Sequence, residues 1–192
     1  MKKAIRIGLS VIICAGLVVG YYYYLSHRND NNTTEDATKV TEVDKILQKD
    51  FDEQYPTSPR EVVKWYNRII TAYYGEEYTD EQLEGMADQA RKLLDDELLQ
   101  YNPKDTYLEN LKKDIDNYKT LNKKIVQSSV SDSNDITYAT VKGASCAYVN
   151  AYYFSKEGSN YSRTYQEFVL RKDSKGKWKI LTFRLTEGED NE

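Results

Sequence analysis

One histidine, two cysteines, three prolines and nine glycines are spread over 192 residues. So little proline and glycine excludes a collagen-like or low-complexity chain. The lone histidine, His27, stands beside an apolar run near the N-terminus. Nucleophile triads and imidazole bases therefore have no residue to use in the body of the chain. Zinc needs His and Cys ligands at short spacing, and Cys14 and Cys146 are far apart in sequence. Neither GxGxxG nor the phosphate-cradling GxxxxGK pattern occurs. The turn Asp132-Ser133-Asn134-Asp135 lacks the central glycine and downstream bidentate glutamate of a calcium loop, and reads as a hairpin turn. The sequence assigns no catalytic residue, no metal and no cofactor.

Positive charge is also short in the body. The chain carries 27 Lys and Arg against 31 Asp and Glu, a net of −4. Residues 1–28 hold four of the basic groups and no acid, so the remainder nets about −8 by counting. An acidic body lacks the clustered cations that displace counterions, so no nucleic-acid partner is expected. The carboxylate pairs Glu76-Glu77, Asp80-Glu81, Asp95-Asp96-Glu97 and Asp114 with Asp116 fall in predicted caps and solvated helix faces. They are weak candidates for acid–base work.

Residues Ile7 to Leu25 form an uncharged apolar run of nineteen residues, ending in Tyr21 to Tyr24. At 1.5 Å per residue it spans roughly 28 Å, about the thickness of a bilayer core. Lys2, Lys3 and Arg6 precede it, which places the N-terminus on the cytoplasmic side. The expectation is a single-pass anchor in the lipid bilayer through residues 7–25, with the rest outside the cytoplasmic membrane. A cleaved signal peptide would have a shorter apolar stretch and a small-residue cleavage site. The domain reading is 1–28 cytoplasmic tip and anchor, 29–37 polar linker, 38–187 ectodomain and 188–192 disordered tail.

Apolar residues recur at helical spacing through Val40, Val43, Ile46 or Leu47, and Phe51, a short lead-in helix. Ser58-Pro59-Arg60-Glu61 is a capping box with proline at the first helical position. It opens a stripe of Val62, Tyr66, Ile69 and Tyr73, closed by Gly75. Thr79-Asp80-Glu81-Gln82 opens a second helix, and Asn102-Pro103 caps a third with Leu108, Leu111, Ile115 and Tyr118 inward. After Lys123 the period changes to two. Ile125–Val130, Ile136–Val141, Cys146–Phe154, Thr164–Lys172 and Trp178–Leu185 read as strands joined by short turns. Cys146 reads as a small buried hydrophobe. The fold class expected is α+β: an N-terminal transmembrane helix, then three helices packed on a curved antiparallel sheet of four to five strands.

That order resembles the nuclear-transport-factor-two-like (cystatin-like, SnoaL-like) fold, whose membrane-anchored forms serve in secretion and conjugation machines. The chain is also similar to an uncharacterised family of small single-pass bacterial membrane proteins of the Firmicutes type. That similarity rests on Tyr21–Tyr24, Tyr55-Pro56-Thr57-Ser58-Pro59, Ala87-Asp88-Gln89-Ala90-Arg91, Glu167-Phe168-Val169-Leu170-Arg171-Lys172 and Trp178-Lys179-Ile180-Leu181. It carries no catalytic residue with it. The resembled fold implies a cavity between helices and sheet, for which Trp65, Tyr66, Tyr73 and Tyr118 are candidate lining residues.

The reading is of a non-enzymatic, membrane-tethered interaction module. Its alternatives are a small-ligand-binding domain using that cavity, or a component of a secretion- or conjugation-type envelope assembly. If Phe168, Leu170, Leu181 and Phe183 meet the helices, strict alternation leaves Tyr165, Val169, Trp178 and Ile180 as an apolar patch opposite. That patch is the candidate surface for a homodimer or an envelope protein partner. The competing expectation is that these residues are buried within the monomer.

Overall fold

A computed structural model describes residues 40–187. Helix α1 (Glu42–Leu47) is closed at its start by a reciprocal capping box between Thr41 and Asp44. Helix α2 (Pro59–Gly75) begins with the expected box: the Ser58 side chain accepts from the Glu61 amide, and Glu61 reaches back to the Ser58 amide. Helix α3 (Asp80–Lys92) repeats the device with Thr79 and Gln82. Two further helices follow, α4 (Asp96–Tyr101) and α5 (Lys104–Thr120).

The strands are β1 (Lys123–Val130), β2 (Thr137–Val141), β3 (Ala144–Glu157), β4 (Asn160–Lys172) and β5 (Trp178–Thr186). All pairings among them are antiparallel, in the order β1-β3-β4-β5. β1 and β2 do not form a hairpin with each other. They lie end to end along one edge of β3, with Val130 opposite Ala151 and Thr137 opposite Tyr148. The Asp132–Asp135 turn is a short excursion in that edge. It is held where Arg60 donates from Nε to the Ser131 carbonyl (2.7 Å) and reaches the Asp132 carboxylate (3.2 Å). The β3–β4 hairpin turns through Gly158 at φ +58°, a left-handed value that glycine adopts without steric penalty.

These elements correct the expected architecture. The described residues form an α+β fold of five α-helices and a five-stranded antiparallel sheet, where three helices were expected. Of the two beyond those three, α1 is the expected lead-in helix and buries Val43 and Ile46, while α4 is short and has no buried residue, so it leaves almost no apolar period in the sequence. The transmembrane helix is not part of the fold seen. Among the described residues no helix is long and apolar enough to cross a membrane, and residues 7–25 lie outside them, as do the linker and the tail. Asn102 does not cap α5, whose N-cap is Pro103. Its amide instead donates to the Leu98 carbonyl at 2.9 Å, closing α4.

One hydrophobic core joins the helices to one face of the sheet. The α2 stripe Val62, Tyr66, Ile69 and Tyr73 is buried with Ala147, Val149, Phe168, Leu170 and Ile180. At the end of α2, a Cβ on Gly75 would stand 2.9 Å from the Ile125 carbonyl oxygen. Its absence lets β1 approach the helix closely. At the opposite edge the segment after α3 pairs with β5. The Asp95 amide donates to the Ile180 carbonyl (2.8 Å), and the Ile180 amide donates to the Leu93 carbonyl (2.9 Å). The buried Asp95 carboxylate receives both arms of Arg171, at 2.5 and 3.1 Å. It also accepts from the Glu97 amide (2.9 Å), so the buried charge is paired and its lone pairs are used.

The outer surface of β5 is decided by a bulge. Val169 pairs with Thr182 but Leu170 pairs with Ile180, leaving Leu181 as the extra residue. Inward residues are therefore even-numbered before the bulge (Trp178, Ile180) and odd-numbered after it (Phe183, Leu185). This corrects the proposed patch. Trp178 and Ile180 are buried, at 8% and 0% exposure, while Tyr165 and Val169 lie on the opposite face. The four residues do not share a surface, and Leu181 does not stand beside Phe168. Cys146 is buried as expected.

Candidate functional site: a tyrosine-walled cavity

The inner face of the sheet is longer than the helices that cover it. Its far end, beyond Phe168, carries Gln166 and Thr164 on β4, Tyr153 and Ser155 on β3, and Phe183 on β5. Helix α5 reaches over this end without filling it. A cavity of about 450 Å³ remains, open on one side. Tyr66, Ile70 and Tyr74 of α2 form one wall, and Tyr107, Asn110, Leu111, Asp114 and Tyr118 of α5 form another. The sheet residues form the floor. This size lies within the range of small-molecule sites.

Two of the four candidate lining residues, Tyr66 and Tyr118, line this cavity. Tyr73 lines a smaller neighbouring one of about 240 Å³, which Tyr74 and Tyr118 share. Trp65 lines neither. One residue from Tyr66 is a third of a turn round the helix, so Trp65 packs edge-on against Phe51 (5.5 Å) with the Arg68 guanidinium 4.7 Å from its ring. The residues that sequence reasoning missed are Tyr74, Tyr107, Tyr153, Gln166 and Phe183, and Asp114, read from the sequence as part of a solvated helix face, lines the cavity. A signal for part of this set was present, because Tyr107, Leu111, Asp114 and Tyr118 recur at helical spacing. That stripe lies beside the one chosen.

The polar groups of the wall are mostly phenols in fixed places. The Tyr74 hydroxyl donates to Asp114 Oδ2 at 2.5 Å, and the Tyr74 and Tyr118 rings lie 4.3 Å apart. The Tyr153 hydroxyl donates to the Oδ1 of buried Asn67 at 2.5 Å. Asn67 Nδ2 has no partner. The Tyr73 hydroxyl comes close to that of Tyr107 but has no partner in hydrogen-bonding geometry.

Burial pushes the Tyr66, Tyr73 and Tyr153 phenols well above their ordinary pKa of 10. It also raises Tyr74 and Tyr118, and the neighbouring Asp114 carboxylate adds to the rise. A tyrosine acting as base or nucleophile needs the opposite shift. These phenols are neutral hydrogen-bonding groups at ordinary pH. Among the described residues no three His, Cys, Asp or Glu side chains are grouped to hold a metal ion.

The outer face of the sheet carries a second set of aromatics. Tyr148, Tyr152 and Phe154 of β3 share that face with Tyr161, Arg163, Tyr165 and Val169 of β4. The Arg163 guanidinium lies 4.9 Å from the Tyr152 ring and 5.9 Å from the Tyr165 ring. Phe154 and Tyr161 stack at 5.4 Å. An open concavity of about 870 Å³ runs beside them, past Arg60 and Asp132.

A comparison with curated proteins finds no match to the chain. The family described as Domain of unknown function (DUF6715) matches residues 1–183, and the chain belongs to that family.

Proposed function

We propose that the domain is a non-enzymatic module that binds a small molecule in the cavity between α2, α5 and the sheet. The observation that carries this reading is the unfilled space itself: about 450 Å³ walled by six aromatic rings, with a few polar groups at fixed points. A structural core of this size would be packed to the density of an organic crystal. Ligand sites instead combine apolar walls with a small number of placed polar groups. The likeness to the nuclear-transport-factor-two-like fold is part of this reading, supported by helices laid over one face of an antiparallel sheet with a hollow at its end. The raised phenols and the lack of imidazole in the wall support binding over catalysis.

The test is a titration of the full chain with phenol, followed by thermal shift and by ligand-observed NMR. Saturable binding is expected in wild type. In Gln166→Trp, whose indole would occupy the floor of the cavity, binding should fall at least about tenfold with the fold retained. Unchanged binding in that variant would place the ligand elsewhere.

A second reading has its own observation. Arginine packed among tyrosines on a sheet face that no described helix covers has the composition of an interface centre. A protein partner or a second copy of the chain would dock there, around Arg163 and Tyr165. Under this reading, sedimentation of the wild type shows self-association that Arg163→Glu abolishes. A monomeric wild type at high concentration would remove the second copy as the occupant.

A further inference from the structure

We propose, resting on the reading of the cavity as a ligand site, that its ligand is a small organic cation of the alkylammonium class. Among the described residues, the lining contains one formal charge, the Asp114 carboxylate, and no Lys, Arg or His. An anionic ligand would meet a carboxylate and the negative faces of aromatic rings, with no cation to pair with. A neutral ligand can donate a hydrogen bond to Asp114 but brings no charge to pair with it. A cation meets both attractions at once, since aromatic faces and a carboxylate favour positive charge.

With no Lys, Arg or His in the lining, the carboxylate charge is uncancelled within the wall. Tyr74 holds it in place through Oδ2 (2.5 Å), and the tilted rings of Tyr74 and Tyr118, 4.3 Å apart, stand beside it. Rings of this wall already attract cations where they meet the surface. Lys123 Nζ lies 4.9 Å from the Tyr118 ring and the Arg91 guanidinium 5.6 Å from that of Tyr107, though neither residue lines the cavity. The lining of the cavity has no side-chain cation of its own. A trimethylammonium head with a short chain fits within about 450 Å³.

The experiment compares choline with dimethylbutanol, its neutral carbon isostere, on the full chain by ligand-observed NMR. Choline is expected to bind at least about tenfold more tightly than the isostere. Asp114→Asn, an exposed helix position that should fold normally, should weaken choline about tenfold and leave dimethylbutanol unchanged. Tyr118→Leu should weaken choline more than the isostere. Equal binding of the two compounds would overturn the cationic class while leaving the cavity as a site. Binding of phenol with no binding of choline would overturn it as well. If phenol, choline and the isostere all fail to bind, the cavity reading itself fails and this inference with it.

Discussion

Above pH 10 the domain is expected to unfold in one cooperative step as its buried tyrosines lose their protons. Tyr66, Tyr73 and Tyr153 are 6%, 1% and 5% exposed, and burial raises each phenol above its ordinary value of 10. Below pH 10 both folded and unfolded chains keep these protons, so the three groups add no pH dependence. Above it the unfolded chain releases protons that the fold retains, and stability falls as pH rises. Each buried phenol contributes a slope of about 1.4 kcal/mol per pH unit, and three together about 4.

A domain of ordinary stability, about 5–15 kcal/mol, would be lost within roughly one to four units above that point. Tyrosine ionisation followed by ultraviolet absorbance should coincide with the loss of circular dichroism. Tyr73→Phe removes one of the ionising groups together with a hydroxyl that has no partner, and should move the transition to higher pH. Gradual ionisation near pH 10 with the native spectrum intact would mean that these phenols are open to water.

Trp178→Asp is expected to prevent folding. Trp178 is 8% exposed, its ring is 5.9 Å from that of Tyr138, and Lys172 Nζ lies 5.0 Å above it. Its carbonyl accepts the Tyr55 hydroxyl at 2.8 Å, tying the segment before α2 to the start of β5. Loss of a buried tryptophan costs about 3–5 kcal/mol, and a carboxylate placed there adds a desolvation penalty. Trp178→Phe keeps an aromatic ring in the site and should remain folded at reduced melting temperature. Chemical denaturation of both variants measures the difference. A Trp178→Asp protein with native stability would return this residue to the surface, where strict alternation had put it.

The error over Trp178 shows where the sequence stops being legible. The helix starts were readable because each capping box is a local arrangement of side chain and backbone, as at Ser58 and Thr79. Strand positions were readable to within a few residues from the period of two. The bulge at Leu181 was not, because nothing in Lys179-Ile180-Leu181-Thr182 distinguishes a regular strand from one with an extra residue. One such residue exchanges the faces of everything beyond it. An apolar patch of Tyr165, Val169, Trp178 and Ile180 was expected there, whereas the outer face sets Tyr148, Tyr152, Phe154 and Tyr161 beside Arg163, Tyr165 and Val169.

The cavity was half legible for a related reason. Tyr66 and Tyr118 lie on helical stripes visible in the sequence. The floor residues Tyr153, Gln166 and Phe183 meet only through strand register, which is a long-range property. Likewise β1 and β2 looked like a hairpin because a turn separates them. Their shared edge on β3 depends on pairing with a strand that comes later in the chain. The similarity to an uncharacterised family holds at the level of the family.

Whether the space beneath α5 is a binding site is decided by residue-resolved NMR of the full chain during a phenol titration. Saturable shifts are expected, confined to Tyr66, Tyr107, Tyr118, Tyr153, Gln166 and Phe183, with the outer-face residues Tyr152 and Tyr165 unmoved. Shifts centred on Tyr152, Arg163 and Tyr165, with Tyr66 and Phe183 unmoved at saturation, would contradict binding beneath α5.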